Sequence, residues 1–140
     1  MTKGACVFCD IVGKRIPGHV VLEDDVVVAF LDVKPLFVGH VLVVPRDHVV
    51  TLPELAVETV GPFFERVQAI ARALPEALGA QGSFVAMNNV VSQSVAHLHC
   101  HVVPRTKGDG LKGFFWPRTK YKSEDEMRET AATIRAHLTS

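Results

Sequence analysis

The chain has no apolar run approaching the roughly 18 residues of a helical membrane span, so no membrane partner is expected. It begins Met1-Thr2-Lys3-Gly4-Ala5-Cys6, without the apolar stretch of an export signal, and the cytoplasm is the expected compartment. Charge of either sign is not in excess: 15 basic and 15 acidic residues give a formal net charge of zero. That excludes an electrostatic grip on nucleic acid but not a small anionic ligand, because local fields matter more than the sum. Repeats, low-complexity stretches and domain linkers are absent, and 140 residues suit one domain. Cysteine is scarce, with three in all. In a reducing compartment, the pair Cys6-x-x-Cys9 reads as metal-binding or redox-active before it reads as a disulfide.

What is present is an apolar fraction of 48%, enough for a sizeable core. Val20 to Glu23 predicts a strand, Asp24-Asp25 a turn, and Val26 to Asp32 a second strand of a hairpin. Lys34-Pro35 opens a loop closed by Gly39-His40. Val41 to Val44, bounded by Pro45, predicts a buried strand. Leu55, Val60, Phe63, Phe64, Val67, Ile70, Ala71 and Leu74 form an apolar stripe near helical period. It predicts a helix over about 53–78, starting at Pro53, interrupted at Pro62 and ended by Gly79 and Gly82. Ser83 to Met87 predicts a strand that leaves through Asn88-Asn89. Thr106 to Tyr121, with Phe114-Phe115-Trp116-Pro117, predicts irregular structure. Ser123 and Glu126 predict a capped final helix with Met127, Ala131, Ile134 and Leu138 on one side. Strand runs joined by short turns argue for an α+β fold with an antiparallel sheet.

The chemistry concentrates at His97-Leu98-His99-Cys100-His101-Val102-Val103. On a strand, this spacing puts the imidazoles in one row about 7 Å apart and the apolar residues on the other face. A single strand histidine is ordinarily a satisfied polar residue, and two at this spacing can be chance. Three in strict alternation make a poor packing face, which favours a metal site or histidine catalysis. In one reading all three bind a metal, as in histidine-rich zinc hydrolases. In the other, one imidazole is a nucleophile toward phosphorus or acyl carbon and its neighbours tune it. Gln93, Ser94, Asn88 and Asn89 supply neutral hydrogen-bonding groups nearby, no carboxylate lies within the segment, and Asp32 ends another strand. These favour the second reading, with Asp32 suited to ribose hydroxyls.

The same residues resemble the histidine triad, and Gln93-Ser94-Val95 is similar to the stretch leading into it in the Hint branch of the histidine triad (HIT) superfamily. Cys6-Val7-Phe8-Cys9-Asp10-Ile11-Val12, Ile16-Pro17, Ala29-Phe30-Leu31-Asp32 and Gly39-His40-Val41-Leu42-Val43-Val44-Pro45 resemble that branch in the same order. The resemblance covers roughly 6–105, making 1–140 a single HIT domain with a C-terminal extension over 106–140. It implies a five-stranded antiparallel sheet with one long helix and a C-terminal helix, the sheets joined across a homodimer. It implies hydrolysis of a purine nucleoside monophosphate conjugate, an amide or a dinucleotide, at the α-phosphate. His99 would be the nucleophile, passing through a nucleotidyl-histidine, with His101 contacting phosphate and handling protons. Ser94 and Gln93 would serve the phosphate or leaving group, and Asp32 the ribose. Phe30 and Leu31 would wall the base pocket, and His40 would line the same site. The stretch Asn88 to Gln93 is shorter than the glycine-containing loop of many relatives and carries Val90 and Val91. The phosphate contact could therefore fall to Asn88 or Asn89.

Cys6 and Cys9 alone could be two small apolar residues at a strand or turn start, or a redox pair. The resemblance to zinc-binding bacterial members implies structural zinc on Cys6, Cys9, His48 and His97. That would remove His97 from the chemistry. Cys100 is left to the core, and His19 and His137 are expected to be exposed. Two other functions stay in view, a nucleotide-sensing or scaffold protein and a metal-dependent hydrolase using all three histidines.

Overall fold

Apolar, mostly β-branched runs become strands here because their side chains fill both faces of one sheet. The computed structural model describes residues 6–111 and 118–138. Two compact units divide the chain, Met1–Asp109 and Gly110–Ser140. In the first, β1 (Val20–Glu23), β2 (Val27–Leu31), β3 (Val41–Pro45), β4 (Gly82–Ala86) and β5 (Cys100–Arg105) form one antiparallel sheet in the order β1-β2-β3-β5-β4. The expected five-stranded α+β architecture is present. Strand β5 lies between β3 and β4, with Leu42 opposite His101 on one side and Ala86 opposite His101 on the other.

The sheet's two faces have different cores. Val27, Ala29, Val41, Val43, Leu98, Cys100 and Val102 pack with Phe63, Val67, Ile70 and Leu74 of helix α2 (Val57–Leu78). Phe8, Val28, Phe30, Leu42 and Val44 make a smaller cluster on the other face. The alternation along β2 and β3 sorts the side chains this way.

Helix α2 begins later than the apolar stripe predicts. Thr51 and Glu54 form a capping box around a single 3-10 turn, Leu52–Glu54, and Leu55 and Ala56 are extended before α2 starts. Pro62 and Pro75 both lie inside α2. A helical proline costs about 3 kcal/mol. Each of the four buried side chains Phe63, Val67, Ile70 and Leu74 contributes about 1.5–3 kcal/mol, so packing keeps the helix running through both prolines. Gly79 ends α2 with φ of 72°. Gly39 adopts φ of 100°, and a Cβ there would run into the Leu78 side chain. Only glycine lets the loop into β3 pass under the end of α2.

A six-residue helix that the sequence did not signal, α1 (Val7–Val12), follows Cys6 and carries Cys9. The Cys6 thiolate or thiol sulfur caps it, accepting from the Cys9 N–H at 3.3 Å. Arg15 closes its other end through Asp10 (2.9 Å) and the Cys9 carbonyl (3.0 Å). Such a helix is too short to show a period in sequence and too short to persist without tertiary support.

In the second unit, α3 (Glu124–Ala136) is capped by Ser123, whose hydroxyl accepts from the Glu126 N–H at 3.1 Å. Leu138, expected on its apolar side, lies past its end. Residues 106–111 and 118–122 are neither helix nor strand, whereas Phe114, Phe115, Trp116 and Pro117 lie outside the described residues. Among the described residues, no helix is long and apolar enough to cross a membrane.

Candidate active site and metal centre

Three segments meet on the smaller core's face: α1, the turn after β3, and the approach to β5. They bring ligand atoms of Cys6, Cys9, His48 and His97 within 4.8 Å of one another. His97 is fully buried, and its Nε2 lies 2.9 Å from the Pro45 carbonyl oxygen. A carbonyl only accepts, so Nε2 carries the proton and Nδ1 presents a lone pair. That Nδ1 lies 3.2 Å from His48 Nδ1, 3.5 Å from Cys6 Sγ and 3.6 Å from Cys9 Sγ, with His48 Nδ1 3.2 Å from Cys9 Sγ. A tetrahedral site with metal–nitrogen bonds of ~2.05 Å and metal–sulfur bonds of ~2.3 Å has edges of about 3.3–3.7 Å. The observed spacings match that cage. The backbone carbonyl behind His97 is the outer support that orients a ligating imidazole. These four residues fit a metal ion, and the donor set is closed.

A second cluster, Asp32, His40 and His101, also falls within 4.8 Å. Its hydrogen bonds argue differently. The Leu36 N–H donates to His40 Nδ1 at 3.0 Å, so the ring's proton sits on Nε2. His40 Nε2 then donates to His101 Nδ1 at 2.9 Å, which puts the His101 proton on its own Nε2. His40 therefore offers no lone pair to a cation, and the cluster is a hydrogen-bond relay. Asp32 accepts from the Lys34 N–H at 2.9 Å, and its other oxygen stands 3.7 Å from His40 Nε2.

His99 lies between the two clusters. Its Nδ1 donates to the His97 carbonyl at 2.8 Å, so in the neutral ring Nε2 is the nitrogen that keeps the lone pair. The ring is only 3% exposed, against the open row that alternation suggested. The sidedness is as expected, with Leu98, Cys100 and Val102 in the α2-side core. The cover is α1, whose Phe8 meets His99 edge-on at a centroid distance of 5.0 Å. No buried side-chain nitrogen or oxygen among the described residues lacks a partner. His99 Nε2 has no hydrogen-bond partner among the described residues, so it is not fully closed off from solvent.

The other expected site residues divide. Phe30 is buried against Phe8 at 5.4 Å. Leu31 is on the opposite face of the sheet, lining a cavity of about 410 Å³ with Ile70, Leu74 and Val41, and is not brought to His99. Gln93 is used internally, donating to the Val50 carbonyl at 2.5 Å and accepting from the Val90 N–H at 3.0 Å. Asn89 accepts from the Leu52 N–H at 2.7 Å, whereas Asn88 donates to the Ser92 carbonyl at 3.1 Å. Ser94 is exposed, with no hydrogen-bond partner among the described residues. Val90 and Ser92 hold positive φ, 73° and 63°, a strained state for a β-branched residue. Phe8 is the residue the sequence reading missed. Its only signal is a position between two cysteines.

Burial holds the His101 imidazolium down to about 4, reinforced by the nearby His99 and His40 and opposed by Asp32. Burial also lowers His40, again opposed by Asp32. Both rings are therefore neutral at pH 7. As pH falls, the unfolded chain protonates residue 101 near the ordinary value of ~6.5 while the folded chain does not until about 4. Stability from this group is full above ~6.5 and is lost between there and about 4. A His101→Asn variant should show a shallower fall in its urea midpoint from pH 7 to pH 4.5 than the native protein. Parallel curves would contradict the buried, neutral ring.

The HIT domain family model matches residues 13–108. "Protein hit" of Bacillus subtilis is 37% identical over 96% of this chain and 95% of its own length. An adenylylsulfatase of Arabidopsis thaliana is 32% identical over 96% of this chain and 70% of its own. An adenosine 5'-monophosphoramidase of Schizosaccharomyces pombe is 31% identical over 86% and 90%. The crystal structure of a HIT family member from Bacillus subtilis superposes with a TM-score of 0.86 at 33% identity, covering 96% of this chain and 98% of that one. A zinc-bound histidine triad family protein from Mycobacterium smegmatis gives 0.75 at 35%, covering 98% and 100%. With the histidine row, the five-stranded sheet and these matches together, the chain belongs to the HIT domain family.

Proposed function

We propose that the protein hydrolyses conjugates of a purine nucleoside monophosphate at the α-phosphorus, through a nucleotidyl group carried on His99. The observation that carries this reading is the hydrogen bonding of His99, whose Nδ1 donates to the His97 carbonyl, leaving Nε2 as the lone-pair nitrogen of the neutral ring without a partner among the described residues. In the first step Nε2 forms a bond to phosphorus as the bond to the leaving group breaks, and the leaving group departs with the electron pair, an amine taking up a proton from solvent and a sulfate leaving as the anion. In the second, water attacks phosphorus, the nitrogen–phosphorus bond breaks, and the imidazole and a nucleoside monophosphate are restored. His101, neutral and fixed by His40 as the Nε2–H tautomer, is a donor for phosphoryl oxygen. It has His40 and Asp32 behind it to share a proton. Asn88 and the unpartnered Ser94 hydroxyl are the phosphate-side donors, Asp32 the ribose contact, and Phe30 a base-pocket wall. The relatives named for adenylyl sulfate and adenosine phosphoramidate support adenosine conjugates with a sulfate or amine leaving group.

The metal in this reading is zinc, held by Cys6, Cys9, His48 and His97, as the zinc-bound relative supports. It supplies cross-linking of three chain segments rather than a reaction step. The functional unit is a homodimer in which a sheet edge such as β4 pairs with its copy.

The test is to trap the intermediate. Protein mixed with an adenosine phosphoramidate is quenched in base within one turnover, digested and weighed by mass spectrometry. One adenylyl group on the peptide bearing His99 is expected. Turnover with no adduct, or with the group on another residue, rejects the covalent role of His99.

A further inference from the structure

A nucleophilic imidazole must be held in plane and in depth as well as in tautomer. The hydrogen bond from His99 Nδ1 to the His97 carbonyl fixes one edge and leaves the ring free to tip about that bond. Two rings oppose the tipping, His101 at 5.1 Å and 65°, and Phe8 at 5.0 Å and 79°. His101 belongs to β5 and needs no other anchor. Phe8 belongs to α1, and α1 has little of its own to hold it, since a six-residue helix does not persist alone.

What places Phe8 is on either side of it. Cys6 and Cys9, in the same turn, are two of the four residues of the metal-ligating cluster. Phe8 also stands 6.0 Å from His97, edge-on at 74°, and 5.4 Å from Phe30 of β2. Its ring is therefore wedged between the metal-ligand cluster and the imidazole that the proposed reaction uses, and is 7% exposed.

We infer that Phe8 is a positioning residue for His99, seated by the Cys6–Cys9 anchors so that the metal centre sets the attack geometry of the adjacent imidazole. The inference rests on His99 being the nucleophile. It deepens that reading by giving the closed metal site a kinetic consequence without any part in bond-making. An ångström of misplacement costs about 10²-fold in an oriented displacement. A ring contact that restrains tipping should show itself in kcat rather than in affinity.

The experiment compares Phe8→Leu, which keeps an apolar side chain in the core, with the native protein, both confirmed to hold one zinc per chain and assayed with zinc in slight excess. The probes are turnover of an adenosine phosphoramidate with a fluorescent leaving group, AMP binding by calorimetry, and long-range proton–nitrogen NMR of the imidazoles. Expected are a 10- to 100-fold fall in kcat, an AMP Kd changed less than threefold, and a His99 signal moved from one tautomer to a mixture. Native kcat in Phe8→Leu overturns the inference, as does a loss confined to KM and Kd, which would make Phe8 a wall of the nucleotide pocket alone. If Phe8→Leu should lose its zinc, the native protein stripped of metal below its melting temperature takes its place in the NMR arm. There, an unchanged His99 tautomer overturns the inference. A His99 variant with native turnover would sink the functional reading itself, so the two failures are distinguishable.

Discussion

Replacing His99 with asparagine should lower kcat by roughly 10³- to 10⁴-fold while AMP still binds within a few-fold of the native affinity. Asparagine suits the position because its amide nitrogen can donate to the His97 carbonyl, as His99 Nδ1 does at 2.8 Å. The substitution thus keeps the backbone contact and removes only the lone-pair nitrogen. In the proposed reading, nucleotide affinity rests on other groups, among them Asp32, Phe30 and the loop over 88–94, which the change does not touch. The measurements are steady-state turnover of an adenosine phosphoramidate and calorimetric titration with AMP. More than a tenth of native turnover would remove the covalent role from residue 99. Equal inertness of native and variant protein, with AMP binding intact, would instead favour a nucleotide sensor.

Much of this site was legible as alternation. Leu98, Cys100 and Val102 pack on the α2 side of the sheet, and His97 and His99 touch Phe8 on the other. That follows from the two-residue period of extended chain, although regular β5 begins only at Cys100. Exposure was not legible, because alternation says which face a side chain takes and not what covers that face. The cover is α1, six residues with no room for a helical period. Leu31 shows the same limit from the other direction. It neighbours Phe30 and Asp32 in sequence, yet the pleat turns it toward α2 and the cavity lined by Ile70 and Leu74. Adjacency in a strand therefore argues against a shared site unless the residues are two apart.

Gln93 and Asn89 are bonded within the protein for a different reason. A short loop must satisfy its own backbone before it can serve a ligand. Gln93 spends both ends of its amide on Val50 and Val90, and Asn89 takes the Leu52 N–H. The consequence is stiffness. The turn after β3, which carries His48, is tied to the triad segment at Val50 by Gln93 and at Val49 by the Leu98 N–H, 2.8 Å away. A metal held by His48 and His97 therefore braces the 88–98 segment as well as α1.

Removing the metal should accordingly lower the melting temperature without dissolving the sheet. Metal at a free concentration a thousandfold above its Kd stabilises the folded chain by about 4 kcal/mol. At ~3–4 °C per kcal/mol for a chain of this size, a chelator should lower Tm by about 12–16 °C. Cys9→Ser should fall by a similar amount and respond no further to chelator, because one ligand is already lost. The α2-side core contains none of the four ligand residues, so far-UV circular dichroism below the melt should retain the sheet and α2. The loss should be local. The α1 amides of Asp10 and Gly13, bonded to the Cys6 and Cys9 carbonyls at 3.0 and 2.9 Å, should lose hydrogen-exchange protection. Amides of β2 paired with β3 should keep it. Unchanged Tm and α1 protection on stripping a bound, quantified metal would mean that Phe8 and the smaller core hold α1 alone. The four converging side chains would then bind an ion that the fold does not need.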